Sequence, residues 1–183
     1  MEILVLDIET TGLHTTYASV VEVGMVLVNT KTKKIKTVFN KVVRENNFNP
    51  NYKCWIFDNS DLTPTDVMKA KTLDHYRPKI QALLDKYPVT AYNKSFDLRM
   101  FRARGFVCND VECLMKSTKS YFKVKKNNRV KSPSVEEAYK IFFPKSKYVE
   151  KHRGGDDAIH EAKILLEMCD MKIKKTKIKT ILL

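Results

Sequence analysis

The chain has 183 residues and a formal net charge of +13. That length suits one domain with a sizeable core, and 43% apolar with 10% aromatic residues excludes a disordered chain. No apolar run reaches the ~18 residues of a membrane span. The acid-interrupted start MEILVLDIET lacks the basic lead of a signal peptide, so a cytoplasmic protein is expected, with no membrane partner. Cys54, Cys108, Cys113 and Cys169 form no CxxC or zinc-type set with histidine. Reduced structural thiols are expected. The positive charge suits a phosphate-rich partner, because Lys and Arg release counterions condensed on nucleic acid. A Lys-rich composition alone would give the same number.

Ile3-Leu4-Val5-Leu6 is a continuous apolar run and predicts a central strand buried on both faces. Val20 to Asn29 and Ile35 to Val43 predict two more strands, joined by NTKTKK, in an antiparallel meander. Arg44 to Pro64 is polar and reads as irregular, with Phe48, Tyr52, Trp55 and Phe57 set in it. Packing is expected of Trp55 and Phe57. Helices are predicted over Thr65 to Ala70 and Tyr76 to Lys86, then a short strand from Val89 to Tyr92. Ser95 is the expected cap of a helix ending near Gly105. Lys116 to Lys131 interleaves cations with Tyr121 and Phe122, a composition that suits single-stranded nucleic acid or a solvated loop equally. A helix follows from Ser134 to Phe143, and a last one from about Asp156 to Met171, with Asp156 as N-cap. Residues 172–183 form a basic tail, expected to be a weakly ordered arm that attracts phosphate, outside a domain of residues 1–171. Strands first, then helices alternating with short strands, give a mixed α/β sheet.

The chemistry-bearing residues are acids. Asp7 and Glu9 are two apart on an extended segment, so both side chains leave one face. Two carboxylates forced together repel unless a cation holds them or one is protonated, and hard oxygen ligands suit Mg²⁺ or Mn²⁺. Asp97 opens a helix just after a strand, where the helix dipole favours a carboxylate. Asp157 lies at the edge of the apolar stripe Ala158, Ala162, Leu165 and Cys169 of the last helix. At 100° per residue His160 falls nearly opposite that stripe and is expected to face solvent. His152 is therefore the better general base. Gly154 and Gly155 between His152 and Asp157 predict a mobile loop from which His152 swings in when substrate binds.

Taken together, DIETTGL at residues 7–13, NKSFD at 93–97 and HRGGDDA at 152–158 resemble the three ordered motifs of the DEDDh (DnaQ-like) 3′–5′ exonucleases. The resemblance spans roughly residues 1–170. It implies an RNase H-like fold: a five-stranded mixed sheet, three antiparallel strands then two parallel, with helices on both faces. It implies two divalent cations held by Asp7, Glu9, Asp97 and Asp157, and His152 deprotonating the attacking water. Nucleoside 5′-monophosphates would leave from the 3′ end of single-stranded nucleic acid, with DNA placed slightly ahead of RNA. It also implies substrate contacts from Thr10, Thr11, Gly12, Leu13, Asn93 and Phe96. An exoribonuclease of the RNase T or oligoribonuclease type, a non-catalytic nucleic-acid-binding subunit and an RNase H-like endonuclease are the competing readings. A polymerase or repair partner and homodimerisation are left open.

Overall fold

A computed structural model describes the backbone of residues 1–181 and the side chains of residues 1–171. The first strand, β1 (Glu2–Thr10), pairs antiparallel with β2 (Val20–Asn29), which pairs antiparallel with β3 (Lys34–Val42). Next come three helices, α1 (Trp55–Asn59), α2 (Pro64–Lys69) and α3 (Leu73–Lys86). A short strand β4 (Val89–Thr90) adds parallel to β1, giving the order β3-β2-β1-β4. The chain continues through α4 (Lys94–Ala103), α5 (Leu114–Phe122), the hairpin β5 (Lys125–Lys126) and β6 (Arg129–Val130), α6 (Val135–Phe142) and α7 (Gly154–Ile181).

The meander, β4 and most helices lie where the sequence places them. Capping explains two starts: Thr63 and Ser134 each form a reciprocal box with the acid three residues on, Asp66 and Glu137. Other details differ. The second parallel strand is reduced to one bridge between Val89 and Asp110. Asn109 and Asp110 are poor strand formers, and the next carbonyl, that of Glu112, accepts the Thr90 hydroxyl instead of a ladder N–H. α1 is a single turn inside the stretch read as irregular, too short to leave a periodic signal. The N-cap position of α4 is Asn93 rather than Ser95, whose hydroxyl donates to the Asn93 side chain. The last helix begins two residues before Asp156 and its backbone runs on to Ile181. The expectation for residues 172–183 as a phosphate-attracting arm concerns side chains outside the described residues. Among the described residues, no helix is long and apolar enough to cross a membrane. Cys54, Cys108 and Cys113 are not joined in a disulfide.

Alternation along β1 decides which face each acid sees. Leu4, Leu6 and Ile8 pack with Ile80, Leu84, Leu98 and Phe101 of α3 and α4 on one face. Ile3 and Val5 pack with Ala138, Ala158, Ala162 and Leu165 of α6 and α7 on the other. Asp7 and Glu9 continue the second series, so they point at the first turns of α7.

Small residues let α7 come that close. Gly24 of β2 lies opposite Asp7 in the strand register. A Cβ on Gly24 would overlap the carbonyl of Gly154, and one on Gly154 would sit 3.0 Å from the Gly24 nitrogen and 3.1 Å from the backbone carbonyl oxygen of Asp7. A Cβ on Gly155 would overlap the Asn40 side chain. The glycine pair is thus buried packing in the first turn of α7, where the sequence predicts a loop. Gly24→Ala should force the backbones apart and cost about 1–3 kcal/mol or more, read as a lower urea midpoint with an unchanged slope.

Candidate active site

β1 delivers Asp7 and Glu9, α4 delivers Asp97 in its first turn, and α7 delivers Asp157. The segment before α7 delivers His152. The four acids converge. Ligand atoms of Glu9, His152 and Asp157 lie within 4.8 Å of one another. Asp97 and Asp157 are almost fully buried, at 4% and 1% exposure.

Burial and crowding work against ionisation here. Asp7 is pushed well above the usual carboxylate range, by burial first and then by Glu161, Glu9, Asp97 and Asp157. Glu9 rises to about 9, again by burial first and then by Asp157. Asp97 rises to about 7 through burial, opposed by backbone hydrogen bonds from its own N–H and that of Ile8. One oxygen of Asp7, Oδ2, is buried with no hydrogen-bond partner. An orphaned buried oxygen among crowded hard donors fits divalent cations of the Mg²⁺ or Mn²⁺ type, which would satisfy both the oxygen and the charge. The residues present therefore fit the metal ligation expected of them.

A pH effect follows. A carboxyl whose pKa is raised on folding stabilises the fold below its unfolded value and loses that contribution as pH rises through its folded value. For Glu9 that window runs from 4.5 to about 9, and for Asp97 from 3.8 to about 7. The metal-free protein should melt at progressively lower temperature as pH rises across this range. Saturating Mg²⁺ should flatten or reverse the slope, because cations bind the ionised acids. Thermal melts with Mg²⁺ and with EDTA check both arms.

The backbone of His152 is in the left-handed region, with φ 54°. Its ring meets the Trp55 ring edge-on at 4.5 Å, and its Nδ1 lies 3.9 Å from Glu150. Trp55 is 58% exposed. It stands over the histidine instead of packing in the core as expected, whereas Phe57 does pack, against Phe48. Arg153 anchors the turn. Its guanidinium donates to both oxygens of buried Glu22 at 2.9 Å, the Gly154 N–H donates to the same carboxylate at 3.2 Å, and the Arg153 N–H donates to Asp157 at 2.8 Å. His160 is not solvent-facing. It stacks on Tyr148 at 3.8 Å and meets Tyr139 edge-on at 5.0 Å. The helix angle carries it away from the sheet but into a layer formed by α6 and the residues after it.

Four further residues join the site from outside the expected set. Glu161, 3% exposed, accepts the Tyr92 N–H at 3.0 Å and is itself pushed well above the carboxylate range, by burial and then by Asp97. It lies one turn after Asp157, and that spacing is the one clue the sequence holds. The Tyr148 hydroxyl donates to Asp157 at 2.8 Å, which orients the carboxylate. Glu150 rises to about 7 by burial and then by Asp157. Glu22, whose partner is Arg153, is the fourth.

The expected substrate contacts separate into groups. Thr11, Gly12 and Leu13 line a cleft of about 370 Å³ with Tyr17, Asn47, Asn49 and Tyr52. Leu13 is 77% exposed at its rim. Thr10 and Thr11 hold the loop, through Thr10 Oγ1 donating to the Gly12 carbonyl at 2.7 Å and Thr11 Oγ1 accepting the Ser19 N–H at 2.8 Å. Asn93 is exposed at the start of α4, and Phe96 packs partly against the core. Neither lines that cleft.

A family model described as exonuclease (RNase T) matches residues 4–165. No curated protein matches the chain. Among solved structures the fold is similar to that of a full-length 3′-exonuclease, at 19% identity and TM-score 0.69, covering 93% of this chain and 61% of that one. It is similar to the nuclease domain of 3′hExo, a DEDDh family member bound to rAMP, at 19% identity and TM-score 0.69, covering 92% of each chain. Exonuclease I of E. coli in complex with a dA16 oligonucleotide aligns at 14% identity and TM-score 0.64, over 90% of this chain and 40% of that one. The chain thus spans less than two thirds of the length of the first and last of these. With its ordered acidic motifs gathered at one sheet end, the chain belongs to the exonuclease (RNase T) family, and its fold is similar to that of a DEDDh nuclease domain.

Proposed function

We propose that this protein hydrolyses single-stranded nucleic acid from its 3′ end and releases nucleoside 5′-monophosphates, with DNA placed slightly ahead of RNA. The observation that carries this reading is the convergence of half-buried Asp7 and Glu9 with buried Asp97 and Asp157, with His152 at their edge. In it, these four acids hold two divalent cations, Mg²⁺ or Mn²⁺, which when bound neutralise phosphate charge and acidify bound water. His152 takes the proton of the attacking water at Nε2. Its Nδ1 side faces Glu150, which steadies the ring. Tyr148 and the Arg153 N–H keep Asp157 oriented. Leu13 presses on the terminal base from the rim of the cleft, and the backbone around Thr10, Thr11 and Gly12 meets the terminal 3′-hydroxyl. Asn93 and Phe96 contribute from the start of α4.

An exoribonuclease is the second reading. It is favoured by two structural neighbours named as a nuclease domain bound to rAMP and as recognising a histone mRNA stem-loop. Matched linear and circular DNA and RNA strands test both. Linear strands should yield 5′-monophosphates, circles should persist, and the faster sugar names the substrate. Cleavage of circles would replace this reading with an endonuclease.

A further inference from the structure

The stretch from Lys116 to Lys131 is not a loop. α5 carries Lys116, Lys119 and Lys123 at its exposed side and C-cap, spaced so that they share one stripe. The hairpin that follows turns through Asn127 and Asn128, both with positive φ (51° and 60°), the mark of a tight two-residue turn. It presents Lys125, Lys126 and Arg129, all exposed. Lys116, Lys119, Ser120, Lys123 and Val130 line an open groove of about 480 Å³ between helix and hairpin.

Three observations give this surface a direction. The interleaved rings are not on it: Tyr121 and Phe122 turn inward and pack with the α7 side of the core, Phe122 edge-on to Phe142 at 5.0 Å. The exposed long side chains of the surface are therefore cations, and charge is what it offers. Lys131 is paired with Glu137 at 2.6 Å, whereas among the described residues Lys116, Lys119, Lys123, Lys125, Lys126 and Arg129 take part in no ion pair. Finally, α5 is tied to the catalytic end of the sheet. Its first N–H groups donate to the carbonyls of Ala91 and Tyr92, just before Asn93 and Asp97. Its nine residues span about 13 Å at the usual helical rise, so the cations run from a helix start bonded beside Asn93 out to the hairpin.

We infer that the α5–hairpin surface binds the phosphate backbone of the nucleic-acid strand under digestion, upstream of its 3′ terminus and without reading sequence. Six unpaired cations facing one polyanion supply affinity through counterion release, and the absence of exposed rings leaves base identity unread. The inference rests on the exonuclease reading for the identity of the strand, but its test does not.

The test uses the full chain with Lys119, Lys123 and Lys126 changed together to Glu, and a second variant with the same three changed to Arg. Binding of a 5′-fluorescent oligo(dT) of roughly 20 nucleotides is read by anisotropy in EDTA at several salt concentrations. Turnover is read with Mn²⁺ on the same strand and on thymidine 5′-(p-nitrophenyl phosphate), which has one phosphodiester and cannot reach the hairpin. The Glu variant should bind the long strand about tenfold or more weakly. Its salt slope should fall by about 0.7 for each phosphate that it no longer neutralises. Its kcat/KM should drop on the long strand and hold on the small ester, and the Arg variant should match the parent throughout. Unchanged affinity and salt slope in the Glu variant would overturn the inference, as would equal loss in the Arg variant or equal loss on both substrates. A parent protein that bound the strand through this surface yet hydrolysed neither substrate would remove the exonuclease reading and leave this one standing.

Discussion

Replacing Asp7 with asparagine is expected to lower nucleotide release by at least about 10³-fold while the protein stays folded. Glu161, Glu9, Asp97 and Asp157 all oppose the ionisation of Asp7. Its Oδ2 has no protein partner, so its carboxylate contributes little to the metal-free fold. Several kcal/mol of charge stabilisation from bound cations, at 1.36 kcal/mol per decade of rate, sets the scale of the loss. The same change removes a group whose ionisation burial and the neighbouring acids oppose. The metal-free melting temperature should therefore hold or rise, while the stabilisation by Mg²⁺ should shrink. Full turnover in Asp7→Asn would remove the site assignment. A sharply lower metal-free melting temperature would mean that the carboxylate is structural.

His152→Ala is expected to cost about 10²–10⁴-fold in kcat, the range of general-base assistance, with little change in stability because the ring lies at the site's edge against an exposed Trp55. The loss should shrink as pH rises, since hydroxide then replaces the base. His160→Ala makes the contrast. That ring is stacked on Tyr148 and meets Tyr139 edge-on, so its loss should lower stability by about 1–3 kcal/mol and leave most turnover in place. If His160→Ala removed turnover and His152→Ala did not, the base would be misassigned.

Much of this was legible in the chain because it is local. The apolar run before Asp7 marks the central strand, and its two-residue period puts Asp7 and Glu9 on one face. The capping pair Ser134 and Glu137 marks a helix start without any tertiary knowledge. What escaped is what other segments decide. An angle around α7 places His160 away from the sheet, but cannot say that Tyr139 and Tyr148 wait there. Gly154 and Gly155 read as a loop by composition, yet Gly24 and Asn40 lie against them. Glu161 joins the acids only because α7 crosses β1 closely, and Trp55 reaches His152 only through the fold. The second parallel strand stops at the Val89–Asp110 bridge, beyond which the Glu112 carbonyl accepts the Thr90 hydroxyl instead of a ladder N–H.

The most direct measurement is a time course on a 5′-labelled single-stranded oligonucleotide, with Mg²⁺, with Mn²⁺ and with EDTA. A ladder that shortens one nucleotide at a time from the 3′ end, with either cation and not with EDTA, is the predicted result. An intact strand under all three conditions, or equal cleavage in EDTA, would contradict a cation-dependent exonuclease built on Asp7, Glu9, Asp97 and Asp157.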